Sequence, residues 1–181
     1  MPGSTPSQTV GPFFAFGLPF EGGERVVEPS DPDAVQVIGA VYDGAGDPID
    51  DALVEIWQAN RAGRYRHPED TREELPLEDG FIGFGRCPTD AQGRFGFVTV
   101  KPGAVPPEAP HINVTVLARG LLLHLFTRIY FPGEPANETD PVLASIDDPA
   151  MRETLVARAL DGAVRFDIHL QGERQTAFFD V

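Results

Sequence analysis

This sequence is poor in nearly everything that would mark a secreted, membrane-bound or nucleic-acid-binding protein. It has one cysteine, Cys87, in 181 residues. No internal disulfide can form, and the chain is expected in a reducing cytoplasm. The first ten residues hold no Lys or Arg, and the apolar stretch from Val10 to Phe20 is broken by Pro12, Gly17 and Pro19, which argues against a signal peptide. No run approaches the ~20 apolar residues of a membrane span. Basic residues number 14 against 28 acidic, a net charge of −14, and no basic stripe overrides that excess. Phosphate backbones would be repelled, so nucleic acid is not an expected partner. Also missing are a GxSxG elbow, a P-loop and a dinucleotide fingerprint. No repeat, charged run or shift in composition divides the chain, and one domain over residues 1–181 is expected.

What is present reads as strand and turn. Hydrophobic residues make up 41% of the chain, enough for a substantial core, while 19 Gly and 18 Pro suit short strands joined by many turns. Residues 1–34 carry six prolines and no sustained period, which predicts an extended arm. Its phenylalanines (Phe13, Phe14, Phe16, Phe20) call for burial on this domain or on another chain. Period-two patterns follow. Val35, Val37 and Val41 alternate, and a dense turn signal occupies residues 43–48. Leu53, Glu55 and Trp57 share one face of the next strand, Val54 and Ile56 the other, and Trp57 is assigned to the core. Phe95 and Phe97 alternate, two strands are expected near 111–118 and 121–131 with Arg119-Gly120 between them, and Phe166, Ile168 and Leu170 mark the last. One short helix is expected near 148–160, from the cap candidates Asp147 and Asp148, Pro149, and Met151, Leu155, Val156 and Leu160 at helical spacing. The fold class is all-β, an antiparallel β-sandwich with long loops. Cys87 is expected to be a small buried thiol, His124 a core or interface residue and His169 solvated. Neither histidine has a ligand spacing.

Two segments carry chemistry: LVEIWQANRAGRYRH at 53–67 and KPGAVPPEAPHINVTV at 101–116. Both resemble the iron-site segments of the intradiol ring-cleavage dioxygenases, which open catechol rings with a ferric ion held by two tyrosines and two histidines. By that resemblance the first tyrosine falls on Tyr65, the second on Val105, and the two histidines on His111 and Asn113. An arginine of the family falls on Glu108. Val105 offers no donor and Asn113 only a neutral amide, whereas hard ferric iron needs anionic phenolates. These four are therefore vestigial metal-site positions, and no metal is expected on this chain. His111 and Asn113, two apart on a strand, should share a face.

The likeness extends to TPSQTVGPFF near the start, TRIYF at 127–131 and RFDIHLQGERQTAFFDV at the end. It is strongest to the branch of the family that cleaves protocatechuate with two homologous chains, a beta chain that binds Fe(III) and an alpha chain that has lost ligands. The resemblance implies the second of these, an enzyme subunit inactive alone, in a heteromer that oligomerises further, with a small aromatic acid and O2 as substrates. It also implies that Thr9, Gly11 and Pro12 wall the partner's substrate pocket and that Arg128 attracts the substrate carboxylate. The alternative is a non-catalytic carrier module that kept the sandwich and a vestigial pocket.

Overall fold

The computed structural model describes residues 11 and 13–180. Two sheets face each other. The first runs β4 (Arg94–Thr99), β1 (Val35–Tyr42), β8 (Ala163–Arg165), β7 (Arg158–Leu160), with β9 (Ile168–His169) paired to the far end of β1. The second runs β3 (Phe84–Pro88), β2 (Leu53–Trp57), β5 (His111–Leu117), β6 (Leu125–Tyr130). The alternation read from sequence decides which residues meet between them. Val37, Val41, Phe95, Phe97 and Ile168 from the first sheet pack against Val54, Ile56, Ile112, Val114, Val116 and Ile129 from the second. Each such side chain contributes ~1.5–3 kcal/mol when fully buried, and this layer holds the sandwich.

Three expectations need correction. The sandwich is not wholly antiparallel, because β1 pairs in parallel with both β8 and β9. The helix expected near 148–160 covers only Pro149–Glu153, capped by the Asp148 carboxylate on the Ala150 amide. Beyond it the free edge of β6 claims the backbone: Tyr130 donates to the Leu155 carbonyl, and Ala157 donates to the Tyr130 carbonyl. The chain then turns at Asp161-Gly162 to join β7 and β8, so Leu160 is exposed on a strand. The connection after β5 is longer than Arg119-Gly120, since β6 begins at Leu125. That loop leaves His124 exposed against Phe126, outside the core. Cys87 and His169 are each half-buried, the latter stacked on Tyr42 at 4.9 Å.

The arm is not fully extended either. A one-turn helix, α1 (Phe14–Gly17), lies on the outer face of the second sheet, where Phe14 packs with Leu53 and Leu117. Phe13, Phe16 and Phe20 remain exposed. Pairing in the second sheet aligns one residue per strand across that same outer face: Phe84 opposite Trp57, Trp57 opposite Asn113, Asn113 opposite Arg128. This row is the floor of the candidate site.

Candidate functional site

Two loops bring the remaining positions to the floor. The loop after β2 carries Tyr65, and the loop before β5 carries Val105 and Glu108. They pack backbone against backbone through two glycines. A Cβ on Gly63, whose φ is +80°, would lie 2.2 Å from the Ala104 oxygen, and one on Gly103 would lie 2.4 Å from the Arg61 oxygen. No larger residue fits either place. Asn60 ties the loops further, its carbonyl accepting from both the Gly63 and Gly103 amides. Asp70 braces the first loop by accepting from the Tyr65 amide at 2.8 Å and from Arg72, which also donates to the Gly63 carbonyl at 2.8 Å. The Arg72 guanidinium holds the Asp70 carboxyl well below the usual carboxylate range.

Three of the four candidate metal-site positions meet here, Tyr65, Val105 and Asn113, while His111 sits beside Glu108. Tyr65 and Val105 line one cavity of about 550 Å³. Asn113 donates from Nδ2 to the Tyr65 hydroxyl at 3.3 Å. Trp57, which the sequence assigned to the core, instead stacks on Tyr65 with ring centres 5.9 Å apart. Its place on the Glu55 face of β2 was the available signal. His111 and Asn113 do share the outer face of β5, with Ile112 and Val114 turned to the core.

Of the four positions, Val105 carries no donor atom and Asn113 only a neutral amide. Burial pushes the Tyr65 phenol up, more than Asn113 and Arg128 pull it down, so with no metal beside it the phenol is neutral. His111 places Nδ1 2.8 Å from the Ala109 carbonyl. That contact puts the proton on Nδ1 and leaves the lone pair on Nε2. Burial lowers the imidazole's pKa and keeps it neutral. Its Nε2 is buried without a hydrogen bond, 3.5 Å from Glu108 Oε2, but the neighbouring cation is already Arg128. Among the described residues no group of three or more His, Cys, Asp or Glu could hold a metal ion.

A chain of polar contacts runs from Glu108 to His111. Arg128 Nη1 lies 3.1 Å from Glu108 Oε2 and donates to the Tyr130 hydroxyl at 3.4 Å. Tyr130 donates to Asp140 Oδ1 at 3.1 Å, and Asp140 Oδ2 accepts from the Ala109 amide at 2.7 Å. The Ala109 carbonyl accepts from His111 Nδ1, and the chain stops there, the unprotonated Nε2 lying 3.5 Å from Glu108 without a hydrogen bond. Sequence reasoning marked Glu108 as a charge reversal but missed its pairing with Arg128, because the two meet only through the pairing of β5 with β6 and the angle of the loop that carries Glu108. Arg128 also lines a groove of about 590 Å³ walled by Trp57, Phe84, Phe126 and Phe179. Gly11 is half-buried on the arm; Thr9 and Pro12 lie outside the described residues. A separate cavity of about 460 Å³ opens near Tyr42, Arg158 and His169 and contains none of the candidate site positions.

The profile of the family described as "Dioxygenase" matches residues 11–172. The protocatechuate 3,4-dioxygenase alpha chain of Burkholderia cepacia is 46% identical, the match covering 98% of this chain and 97% of that one. The beta chain of the same enzyme and organism is 40% identical over 85% of this chain and 67% of that one. Among solved structures, the dioxygenase domain of a dioxygenase carbohydrate-binding protein fusion from Streptomyces sp. SirexAA-E superposes with a TM-score of 0.62. It is 31% identical, and the match covers 96% of this chain and 99% of that chain.

Proposed function

The chain belongs to the intradiol dioxygenase family, and we propose that it is the alpha subunit of a protocatechuate 3,4-dioxygenase whose ferric ion is bound by a homologous beta chain. The observation that carries this reading is the loss of two ligand positions. Val105 has no donor atom and Asn113 spends its amide on the Tyr65 hydroxyl, while Glu108, where the family has an arginine, pairs with Arg128. That one organism has an alpha and a beta chain both similar to this one supports an alpha/beta heteromer.

In that heteromer the ring opening, with both atoms of O2 entering 3-carboxy-cis,cis-muconate, draws on ferric chemistry supplied by the partner. This chain's residues bind and orient. Arg128 offers Nε and Nη2, which make no hydrogen bond among the described residues, as a fork for the substrate carboxylate. Thr9, Gly11 and Pro12 form part of the pocket wall, and the exposed Phe13, Phe16 and Phe20 are covered by the partner. No helix among the described residues is long and apolar enough to cross a membrane, and a cytoplasmic assembly is the consistent reading.

The test is expression of this chain alone and together with an iron-bearing homologue. Alone, it is expected to purify without stoichiometric ferric iron and without ring-cleaving activity; together, the two should co-purify, coloured and active. Iron and activity in the lone chain would overturn the proposal. A carrier function, suggested by the aromatic-walled groove, requires instead that the lone chain bind an aromatic acid and never form a complex.

A further inference from the structure

The charge reversal at Glu108 looks at first like simple decay of a metal site, yet its geometry is specific. Glu108 is fixed by its own backbone, its amide donating to the Val105 carbonyl at 2.9 Å. Its carboxylate reaches across to β6, where Oε2 lies 3.1 Å from Arg128 Nη1. Tyr130 takes the same nitrogen, and the buried Asp140 holds Tyr130. The guanidinium is thereby gripped at Nη1, and Arg128 lines the groove that Trp57, Asn113 and Phe126 also line. An arginine with three rotatable methylenes has many orientations. A two-point grip at one nitrogen removes most of them before a ligand arrives.

We propose that Glu108 is a positioning residue that fixes the angle at which Arg128 presents its open edge to the substrate carboxylate. This rests on the reading that Arg128 contacts the carboxylate in the heteromer. A competing effect runs the other way: a carboxylate beside Arg128 subtracts from its attraction for an anion. If orientation outweighs that repulsion, deleting the side chain harms binding. If charge dominates, deletion improves it. A glutamine at 108 separates the two, since its amide oxygen can keep the contact without the charge.

The experiment uses the assembled heteromer and three variants, R128A, E108A and E108Q, with kcat and KM measured on protocatechuate and on catechol, which has no carboxylate. E108A is expected to raise KM for protocatechuate about tenfold with kcat nearly unchanged, and to alter catechol by no more than about twofold. E108Q should recover to within about threefold of the unmodified enzyme. A lower KM in E108A, equal losses on both substrates, or no recovery in E108Q would each overturn the inference while R128A remains selective. If R128A itself loses no preference for protocatechuate, the shared-site reading fails first, and this inference falls with it.

Discussion

Removing the Asp140 carboxylate should unfasten the site and the sandwich edge together. Asp140 is fully buried and accepts four hydrogen bonds: Ala109 N at 2.7 Å on Oδ2, and Val142 N, Leu143 N and the Tyr130 hydroxyl at 2.9, 2.9 and 3.1 Å on Oδ1. Two of these cap the short helix Pro141–Ala144, and the other two belong to the chain of polar contacts under Arg128. In Asp140→Asn one oxygen remains. It can serve the Oδ1 cluster, but the amide then points a donor at the Ala109 N–H. One orphaned buried donor costs ~1–3 kcal/mol, so a net loss of about 2 kcal/mol is expected. Asp140→Ala orphans all four donors. Water can rescue part of that, leaving about 4 kcal/mol, near the upper end for single substitutions. For a chain of this length 1 kcal/mol corresponds to ~2–4 °C in Tm. The two variants should therefore melt roughly 4–8 °C and 8–16 °C low. Urea unfolding with a common m-value would put both on one free-energy scale. A loss below about 1 kcal/mol for Asp140→Ala would refute the reasoning, since four buried donors left bare cannot be that cheap.

Other consequences can be checked with simpler measurements. Val105→Tyr with Asn113→His should raise iron uptake and colour in the lone chain yet leave ring cleavage poor, because Glu108 still puts a carboxylate where the family has an arginine; full activity by O2 uptake would show that it does not matter. Arg128→Ala in the heteromer should lower kcat/KM for protocatechuate by roughly ten- to a hundredfold with iron content unchanged, and catechol turnover should hardly move. His111 adds a pH dependence. Its folded pKa is depressed by burial, so above about pH 6.5 both folded and unfolded forms are neutral and its full contribution is present. As pH falls below that value the unfolded chain binds the proton first, and stability declines. Unfolding free energies at about pH 7.5 and 5.5 should diverge more in the parent than in His111→Gln; equal declines would clear His111 of the effect.

Much of the fold and of the site is legible in the amino-acid sequence, and the exceptions share a cause. Strict alternation locates β1, β2 and β5, and it correctly puts His111 and Asn113 on one face. The same rule, applied consistently, puts Trp57 beside Glu55 on the outer face; apolar character alone draws it to the core. Strand β3, FGRCP, has no readable period, because Gly85 meets the core with no side chain and Pro88 ends the pairing. Met151, Leu155 and Val156 satisfy helical spacing and so overextend the expected helix, while the force that ends it comes from an unpaired edge at Tyr130. The Asp161-Gly162 turn is the local clue against the longer helix. The Glu108–Arg128 contact has no local signal at all: twenty residues apart in sequence, they meet only through strand pairing and the angle at which one loop enters.

The row Phe84, Trp57, Asn113, Arg128 has a consequence for how such a chain can change over generations. Its members hold their places because their sequence neighbours, among them Ile56, Ile112, Val114 and Ile129, are locked into the opposite face. Inserting or deleting one residue within β2, β5 or β6 would turn that strand's member of the row inward and its core residues outward. Single-base changes that swap a side chain leave the row's geometry intact, so ligands can be lost, or a glutamate taken in for an arginine, without the backbone registering the difference. Length variation is confined to the connections, such as the loop from Ala118 to His124. The face is a fixed grid whose contents are replaceable, and two copies of one ancestral sheet can drift to opposite chemistries and still be superimposable.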